Sequence, residues 1–332
     1  MTSTKTVSED RPLRIATIGG GGGHAQVLKG LKALPGLAIT AVCPGTDSGG
    51  STGVLAREYG AVGWLGDLTK CIAALTPDET LADALIARFE GGPFHGHSLK
   101  NILMLGLARA NGVPLQKAIW MMERMCGVDP LHHAVPASAE PAELCATLTS
   151  GGEIAGETNI DTLARNPLWS PDIHGIERIF LRPAVRAWGP ATEAIVSADR
   201  IVVCPGDLYS SILPVFLPQG MARAFRRTKA RIVVVLNIMT KRGETDGYRA
   251  EDFVREIENK IGRRCNAILY NGTPVPEAAL ARYRMERKVR LSMNGFGRDP
   301  RLVKVPLLGI TPEGWLYHDP RLLARALAKA LK

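Results

Sequence analysis

Five consecutive glycines, Gly19 to Gly23, separate a short apolar run from a helix-like stretch. Glycine lets the backbone turn sharply and approach a ligand closely. The N–H groups that open the following helix favour an anion, because the helix dipole is positive at that end. A flexible linker is the alternative, but such linkers are usually rich in serine and lie between polar segments. The apolar flanks therefore favour a phosphate-binding loop, with Gly20, Gly21, Gly22 and Gly23 as its binding residues.

A second loop, residues 46–53, is rich in glycine and hydroxyl groups and follows the second apolar run. Such loops offer many short donors to phosphate oxygens, although an ordinary turn has a similar composition. The predicted ligand contacts in this loop are Ser48, Gly49, Gly50, Ser51 and Thr52. Acidic candidates to hold a metal ion or ligand hydroxyls are Asp47 and Asp67, and Mg²⁺ is the candidate cofactor. Asp67 would alternatively be the N-cap of its own helix.

Three further polar segments carry candidate contacts. His97 and Asn101 lie in a segment with two histidines, for which ligand contact or structural support is favoured over a metal site because no third ligand is near. The segment after a β-branched run at 200–204 contributes Asp207, Tyr209 and Ser210. The segment after the most apolar run contributes Asn237 and Thr240. Loops at the carboxyl ends of parallel strands gather on one edge of a sheet, so these segments are expected to form one site.

Short apolar runs alternate with longer helix-like stretches, which predicts an α/β protein with a doubly wound, mainly parallel, Rossmann-like sheet. Predicted strands are Leu13–Ile18, Leu37–Cys43, Arg200–Cys204, Arg231–Leu236 and Ala267–Tyr270. Predicted helices are His24–Leu34, Leu81–Phe89, Ser98–Ala110, Leu115–Cys126, Gly220–Thr228, Ala250–Ile261 and Arg321–Leu331. A small antiparallel excursion is expected near residues 134–160.

The predicted domain organisation is a disordered tail at residues 1–12 followed by a single domain at residues 13–332. An insertion of about residues 134–185 interrupts that domain. The N-terminal segment lacks an apolar signal core, and no run approaches the ~20 apolar residues that a membrane span needs. The six cysteines form no C-x-x-C pair. A reducing cytoplasm is therefore the expected location, and a homo-oligomer is compatible with the sequence.

The formal net charge of +9 suits anionic ligands, and aromatic residues make up only 5% of the chain. A basic stretch at residues 282–304 is expected to be mainly a solvated helix face, so nucleic-acid binding is a minor alternative. Gly20, Gly22 and Ala25 satisfy the dinucleotide pattern G-x-G-x-x-A, but any glycine run does so. The acidic residue expected at the end of the second strand comes late, at Asp47, so an NAD-dependent dehydrogenase is not favoured.

Taken together, the segments GGGGG…VLKGLK, TDSGGSTG, GHSLKN, PGDLYSSILP and NIMTKRGETDGY resemble the gluconeogenesis factor (YvcK-like) family. That family belongs to the superfamily of 2-phospho-L-lactate transferase, or CofD. The resemblance implies a Rossmann-like protein that binds nucleotides or UDP-sugars and acts in carbon metabolism and cell-shape maintenance. The alternative it implies is a Mg²⁺-dependent transferase, which moves a phosphorylated three-carbon acid from a nucleotide carrier to a deazaflavin.

The chain departs from the family pattern inside the loops expected to touch ligand. Gly22 replaces the usual threonine of GGGTG, and Ser48 replaces one member of the usual acidic pair. Thr69 and Lys70 stand where an arginine and an asparagine are usual, and Asp207 replaces the serine of PGSLY. These changes predict a divergent subgroup whose ligand can differ.

Overall fold

The computed structural model describes residues 11–60, 63–110, 112, 114–166 and 168–331. Two structural layers of helices enclose a central sheet. The strands in chain order are β1 (Leu13–Ile18), β2 (Leu37–Cys43), β3 (His132–Pro136), β4 (Glu143–Leu148), β5 (Glu153–Ala155), β6 (Ile176–Arg182), β7 (Arg200–Val203), β8 (Arg231–Val235), β9 (Ala267–Asn271), β10 (Leu302–Val305), β11 (Leu308–Ile310) and β12 (Leu316–His318). Seven of them form the central sheet, in the order β10-β9-β8-β7-β1-β2-β3, and every neighbouring pair is parallel.

Helices pack on both faces of this sheet. In chain order they are α1 (Gly21–Leu31), α2 (Gly50–Tyr59), α3 (Leu65–Leu75), α4 (Glu79–Ile86), α5 (Leu99–Ala110), α6 (Leu115–Met125), α7 (Glu157–Asp161), α8 (Pro171–His174), α9 (Gly189–Ser197), α10 (Met221–Arg227), α11 (Ala250–Ile261), α12 (Glu277–Met285) and α13 (Pro320–Ala330). Residues Leu208–Ile212 form a π-helical turn. The predicted doubly wound α/β fold is thereby confirmed.

The continuous apolar strands serve two cores at once. In β8, Ile232 and Val234 belong to the core on one face of the sheet. Val233 and Val235 belong to the core on the other face, which also contains Leu28 of α1. Fully burying one such side chain contributes about 1.5–3 kcal/mol. A strand buried on both faces therefore has no polar alternation, which is why these runs are apolar throughout.

The direction of strand succession reverses between β1 and β7. From β1 the chain proceeds outward through β2 to β3, and from β7 it proceeds outward on the other side through β8 to β10. Open parallel sheets bind their ligands in the crevice at the carboxyl ends of the strands beside such a reversal. The loops that follow β1 and β7 are therefore the ones best placed to hold a ligand.

A separate three-stranded antiparallel sheet, in the order β5-β4-β6, lies between β3 and β7 in the chain. It confirms the predicted antiparallel excursion, but its bounds differ. Residues 134–136 belong to the parallel edge strand β3, and the excursion extends to Arg182 because β6 pairs with β4. The short helix α7, which follows β5, packs against β4, β5 and the π-helical turn before the chain continues into β6.

Several elements differ from the sequence expectation. The loop predicted at residues 46–53 ends in helix α2, which begins at Gly50. The first turn of α2 contains two glycines and two hydroxyl residues, which are poor helix formers. The sequence of this turn is therefore typical of a loop. The basic stretch is helical only as far as Met285, and Arg301 within it is paired with Asp299 and Glu258. It is thus not one solvated helix face.

The predicted N-terminal tail lies mostly outside the described residues. Its last two residues are described, and Arg11 donates hydrogen bonds of 2.9 and 2.8 Å to the Asp199 carboxylate. That carboxylate also accepts from Arg14 N at 2.9 Å, and the pKa of Asp199 is lowered to about 2 by the Arg11 guanidinium. That residues 13–332 form one domain stays a prediction.

Candidate functional site

Two cavities open where the strand order reverses. The larger, of about 430 Å³, is lined by residues from α1, α2, α3, α5, α7 and the π-helical turn. The second, of about 300 Å³, lies between α1, the loop after β8, α12 and β12. Gly22, Gln26 and Asp207 line both cavities, so the two meet at the N-terminus of α1.

Helix α1 begins inside the glycine run, at Gly21, and its N-cap residue is Gly20, which has no side chain to cap it. A Cβ on Gly23 would lie 2.0 Å from Pro205 O, so this position admits only hydrogen. A Cβ on Gly22 would meet nothing within 4 Å. Gly23 therefore serves close packing between the loops after β1 and β7, whereas Gly22 faces open space. His24 donates from Nδ1 to Gly19 O at 2.7 Å and so fixes the start of the glycine loop.

Asp67 supplies the cap that the glycine loop lacks. Its Oδ1 accepts a hydrogen bond from Gly21 N at 2.8 Å. The expectation that Asp67 is the N-cap of its own helix is wrong, because Trp64 is the N-cap of α3 and Asp67 lies in the first turn. A Cβ on Gly20 would lie 2.6 Å from Asp67 Oδ2, so a side chain there would displace this carboxylate.

Asp47 organises the loop before α2. Its Oδ1 accepts from Gly49 N at 3.0 Å, and its Oδ2 accepts from Thr52 Oγ1 at 2.8 Å. A Cβ on Gly66 would lie 1.9 Å from Asp47 Oδ2, so α3 approaches this carboxylate through a glycine. Burial and the nearby charge of Asp67 raise the pKa of Asp47 above its usual range. Asp47 and Asp67 both line the larger cavity.

A buried polar network from α5 supports the floor of the larger cavity. Asn101 Nδ2 donates to Ser51 Oγ at 3.1 Å, and Asn101 Oδ1 accepts from Lys100 Nζ at 2.9 Å and from Thr69 Oγ1 at 2.8 Å. Ser51 Oγ also lies 2.9 Å from His97 Nδ1. Burial and the neighbouring Lys70 lower the pKa of Lys100 to about 8. Lys100 was not among the predicted contacts, although it stands next to Asn101.

Helix α7 brings two acidic residues that the sequence analysis also missed. Glu157 and Asp161 line the larger cavity. Burial and the charge of Asp47 raise the pKa of Glu157 to about 8. Thr158 ties this helix to the loop before α2, because its backbone N donates to Ser48 Oγ at 3.1 Å.

Lys241 neutralises an acidic group at the edge of the cavity. Its Nζ lies 2.7 Å from Asp161 Oδ1 and 3.2 Å from Asp207 Oδ2. Ligand atoms of Asp161, Asp207 and Glu244 lie within 4.8 Å of one another, as in a metal site. The Lys241 ammonium already supplies a cation to the two aspartates. Glu244 accepts from Tyr209 N and Ser210 Oγ, and burial, with the charge of Asp207, raises its pKa to about 8.

Most of the predicted contact residues line the cavities. The larger cavity is lined by Gly21, Gly22, Asp47, Gly49, Gly50, Ser51, Thr52, Asp67, Asn101, Asp207 and Ser210. The second is lined by Gly22, Gly23, Asp207 and Asn237. Asn237 holds the loop after β7, donating from Nδ2 to Gly206 O at 2.7 Å and accepting from Gly206 N at 3.0 Å.

Five predicted residues line neither cavity: Gly20, Ser48, His97, Tyr209 and Thr240. Tyr209 OH lies 2.6 Å from Tyr248 OH within the core. Thr240 Oγ1 is hydrogen bonded to the backbone of Val289. A direct ligand contact from these five stays a prediction.

The second cavity carries an aromatic and apolar wall that the sequence analysis did not find. Tyr283, Tyr317, Met239 and Leu316 contribute to it. The Tyr283 hydroxyl accepts from Leu316 N at 3.0 Å, which fixes α12 against the β11–β12 hairpin. Met239 belongs to the NIMTKRGETDGY segment, but no local motif marks Tyr283, Leu316 or Tyr317, which come from α12 and β12 late in the chain.

Comparison with known proteins places these features in a family. The model of the family described as 2-phospho-L-lactate transferase CofD matches residues 15–305. A gluconeogenesis factor from Halalkalibacterium halodurans is 34% identical over 277 residues, covering 82% of each chain. A relative from Thermotoga maritima, also named as a gluconeogenesis factor, is 36% identical over 275 residues, which is 82% of this chain and 83% of that protein.

A solved structure shares the whole architecture. The crystal structure of a UPF0052 family member from Bacillus halodurans has a TM-score of 0.85 and 30% sequence identity, and the match covers 95% of this chain and 99% of that chain. Within the described part of this chain, no helix is long and apolar enough to cross a membrane.

Proposed function

Because the chain belongs to the CofD family and is similar to its gluconeogenesis factors, we propose that it binds a nucleotide or a nucleotide sugar, such as a UDP-sugar. The observation that carries this proposal is the junction of two cavities at the N-terminus of α1. One cavity is polar and charged, and the other is aromatic and apolar. A nucleotide sugar consists of a base, a phosphate chain and a sugar. The base would suit the aromatic cavity, the phosphates would suit the helix N-terminus where the cavities meet, and the sugar would suit the charged cavity.

The phosphates would bind at the N-terminus of α1. Gly22 leaves its surroundings open, and unpaired N–H groups at a helix start bind phosphate oxygens. Lys29 and Lys70, which line the larger cavity, add positive charge along its wall. Gly22 in place of the family's usual threonine removes one hydroxyl donor, so backbone groups would carry more of the binding.

The base would occupy the second cavity. Aromatic rings and apolar side chains are the usual lining of a nucleobase site, with a few polar groups that fix orientation. Tyr283 and Tyr317 supply the rings, and Asn237 and Asp207 lie at the entrance from the phosphate side. The sugar or a second substituent would then lie in the larger cavity, beside carboxylates and amides that accept and donate to hydroxyls.

Mg²⁺ fits the donor set of the larger cavity. Asp47 and Asp67 line it together, and each carboxylate oxygen retains lone pairs beyond the hydrogen bond it accepts. Oxygen ligands of this kind suit Mg²⁺, which usually binds one or two carboxylates together with substrate phosphates. Asp47 and Asp67 would hold the ion, which would neutralise phosphate charge next to the α1 N-terminus.

On this proposal the protein is a cytoplasmic regulator of carbon metabolism or of cell-shape maintenance, which acts through ligand binding. A transferase of the CofD type is the second candidate. It is favoured by Glu157 and Lys100, whose pKa values are both shifted by burial to about 8 within one cavity. Groups that exchange protons near neutral pH are common at catalytic sites. Incubation with nucleotide carriers, a deazaflavin and Mg²⁺, followed by mass spectrometry, tests this second candidate.

Thermal unfolding with UDP, GDP, UDP-glucose and Mg²⁺ tests the first candidate. A ligand at 100 times its dissociation constant stabilises the native state by about 2.7 kcal/mol. We expect the shift to be lost in Tyr317→Ala and retained in Tyr59→Ala, because Tyr59 is exposed and lines neither cavity. If no nucleotide or nucleotide sugar raises the melting temperature, the binding proposal fails.

A further inference from the structure

We propose that the larger cavity contains a second anion subsite, formed by the N-terminus of α2, the Arg88 guanidinium and the Ser98 hydroxyl. It would take the phosphate group of a second, phosphorylated small molecule, while the nucleotide phosphates bind at α1. The assignment of the first anion subsite, at α1, rests on the proposed function. The assignment of the second, at α2, rests only on the residues that form it.

Helix α2 starts without a capping side chain. Its N-cap is Gly49, which has no side chain to accept from the N–H groups of the first turn, and the only backbone N–H in the described part of the chain that donates to Asp47 is that of Gly49 itself. The helix is ten residues long, Gly50–Tyr59, so its dipole and its first N–H groups favour an anion at this end. Gly50 and Ser51 line the larger cavity, which places these groups at its wall.

Arg88 adds a full positive charge at the same place. A Cβ on Gly50 would lie 3.9 Å from Arg88 Nη1 and 4.0 Å from Nη2, so the guanidinium lies directly beside the start of α2. Nη1 donates to Gly96 O at 2.5 Å, which fixes the side chain. The planar guanidinium has five N–H donors, so further donors are available to phosphate oxygens.

Ser98 supplies the observation that points to a ligand. The residue is 2% exposed, and within the described part of the chain its Oγ has no hydrogen-bond partner. Leaving a buried hydroxyl unpaired is costly, and each such group needs an explanation. Ser98 lines the larger cavity and pairs with Arg88 through an isolated antiparallel bridge. The unpaired hydroxyl, the guanidinium and the start of α2 thus belong to one cluster.

The acidic residues nearby do not prevent anion binding here. Both Asp47 oxygens already accept hydrogen bonds, from Gly49 N and Thr52 Oγ1. Glu157 Oε2 likewise accepts a hydrogen bond, from Thr158 Oγ1 at 3.3 Å.

The two anion subsites are separated by the carboxylates of Asp67 and Asp47. Asp67 caps α1 through Gly21 N, and Asp47 holds the loop that leads into α2. The N-termini of α1 and α2 therefore each have their own aspartate. The proposed Mg²⁺ site at these two aspartates would lie between the two anion subsites. A pair of ligands, each with its own phosphate, matches that arrangement better than one phosphate chain at one helix.

Isothermal titration with inorganic phosphate tests the subsite. The protein is titrated alone and again after saturation with whichever nucleotide raises its melting temperature. We expect phosphate to bind in both cases. Arg88→Gln and Ser98→Ala should each weaken it about tenfold, as expected for loss of one hydrogen bond to a charged group. Arg124→Gln, an exposed arginine on α6 outside both cavities, is the control.

Ser98→Ala also controls for misfolding, because removing an unpaired buried hydroxyl should leave the melting temperature of the ligand-free protein unchanged or higher. Phosphate binding that is unaffected in both variants, or absent from the nucleotide-saturated protein, overturns the second subsite. If no nucleotide binds, the proposed function fails, and the titration of the free protein still decides whether the α2 subsite exists.

Discussion

Gly21 N donates a hydrogen bond to Asp67 Oδ1 at 2.8 Å, so a carboxylate from α3 caps the helix that follows β1. The glycine loop alone would present only positive backbone groups to a ligand. With Asp67 attached, one of those groups is occupied and a negative charge stands beside the others. Phosphate binding at α1 should therefore depend on how Asp67 is neutralised, and Mg²⁺ is the proposed neutralising ion.

Replacing Asp67 tests this dependence. Asp67→Ala should lower the free energy of unfolding by about 1 kcal/mol, because Gly21 N loses its cap. It should also make nucleotide affinity independent of Mg²⁺, as measured by titration with and without the ion. Asp78→Ala is the matched control: Asp78 caps α4 through Leu81 N at 3.1 Å and lies outside both cavities. An unchanged Mg²⁺ dependence in Asp67→Ala would count against Asp67 as a metal ligand.

Two neighbouring glycines should respond oppositely to alanine. Gly23→Ala should cost about 1–3 kcal/mol of stability, the usual cost of overpacking, because its Cβ would collide with Pro205 O. Gly22→Ala has open space and should be neutral or stabilising by up to about 1 kcal/mol, since alanine is the better helix former. Urea unfolding measures both. Equal destabilisation would show that the loop after β7 does not pack as described.

The contribution that Glu244 and Glu157 make to the stability of the protein should fall as pH rises from 5 to 8. Burial raises the pKa values of Glu244 and Glu157 to about 8, so the native state keeps protons that the unfolded state has already released. Each such group contributes a slope of at most about −1.4 kcal/mol per pH unit. Glu244→Gln, which cannot ionise, should remove this contribution, so that the slope of unfolding free energy against pH becomes more positive than in the parent protein in urea unfolding across this range. The exposed Glu90→Gln should leave the slope as it is, and an unchanged slope in Glu244→Gln would contradict the assignment.

Anion affinity should decrease above about pH 8, where Lys100 loses its proton. Burial and the nearby Lys70 lower the pKa of Lys100 to about 8, and its Nζ belongs to the network beneath Ser51. Below that pH the ammonium attracts phosphate, and above it the attraction is lost while Glu157 becomes charged. Lys100→Arg, which stays charged, should reduce the decrease in titrations between pH 6.5 and 9. An equal decrease in the variant would exclude Lys100 as its cause.

The parts of the fold that repeat a local pattern were predictable from the sequence. The bounds of β1, β2 and α11 agree with the expectation. In a strand buried on both faces the apolar run ends where the strand ends, and in an amphipathic helix the apolar periodicity ends where the helix ends. Helix α2 was not found, since glycines and hydroxyl residues in its first turn hide it among loop residues. The family resemblance and the fold class are confirmed by the family match and the solved relative.

The candidate site was predictable only where a loop follows a strand. Asp47 and Asp207 stand in such segments and line the larger cavity, whereas Asn101 was found from the polar segment at the start of α5. Glu157 lies on a short helix between two strands of the antiparallel sheet, and Tyr317 lies on a late hairpin, so neither follows a strand of the parallel sheet. The role of Asp67 was misjudged because its partner, Gly21, belongs to a different helix 46 positions away in the chain.

The contact between Gly23 and the Pro205 carbonyl has a mechanical consequence. Backbone meets backbone there, at the point where the two halves of the sheet join, and no flexible side chain lies between them to give way. The cleft therefore cannot widen by spreading β1 from β7. A ligand must enter past the outer walls, where the segment between α4 and α5 carries Arg88 and where the β11–β12 hairpin carries Tyr317. The centre of the sheet is therefore rigid, and a movement that admits a ligand would occur at the outer walls of the cleft.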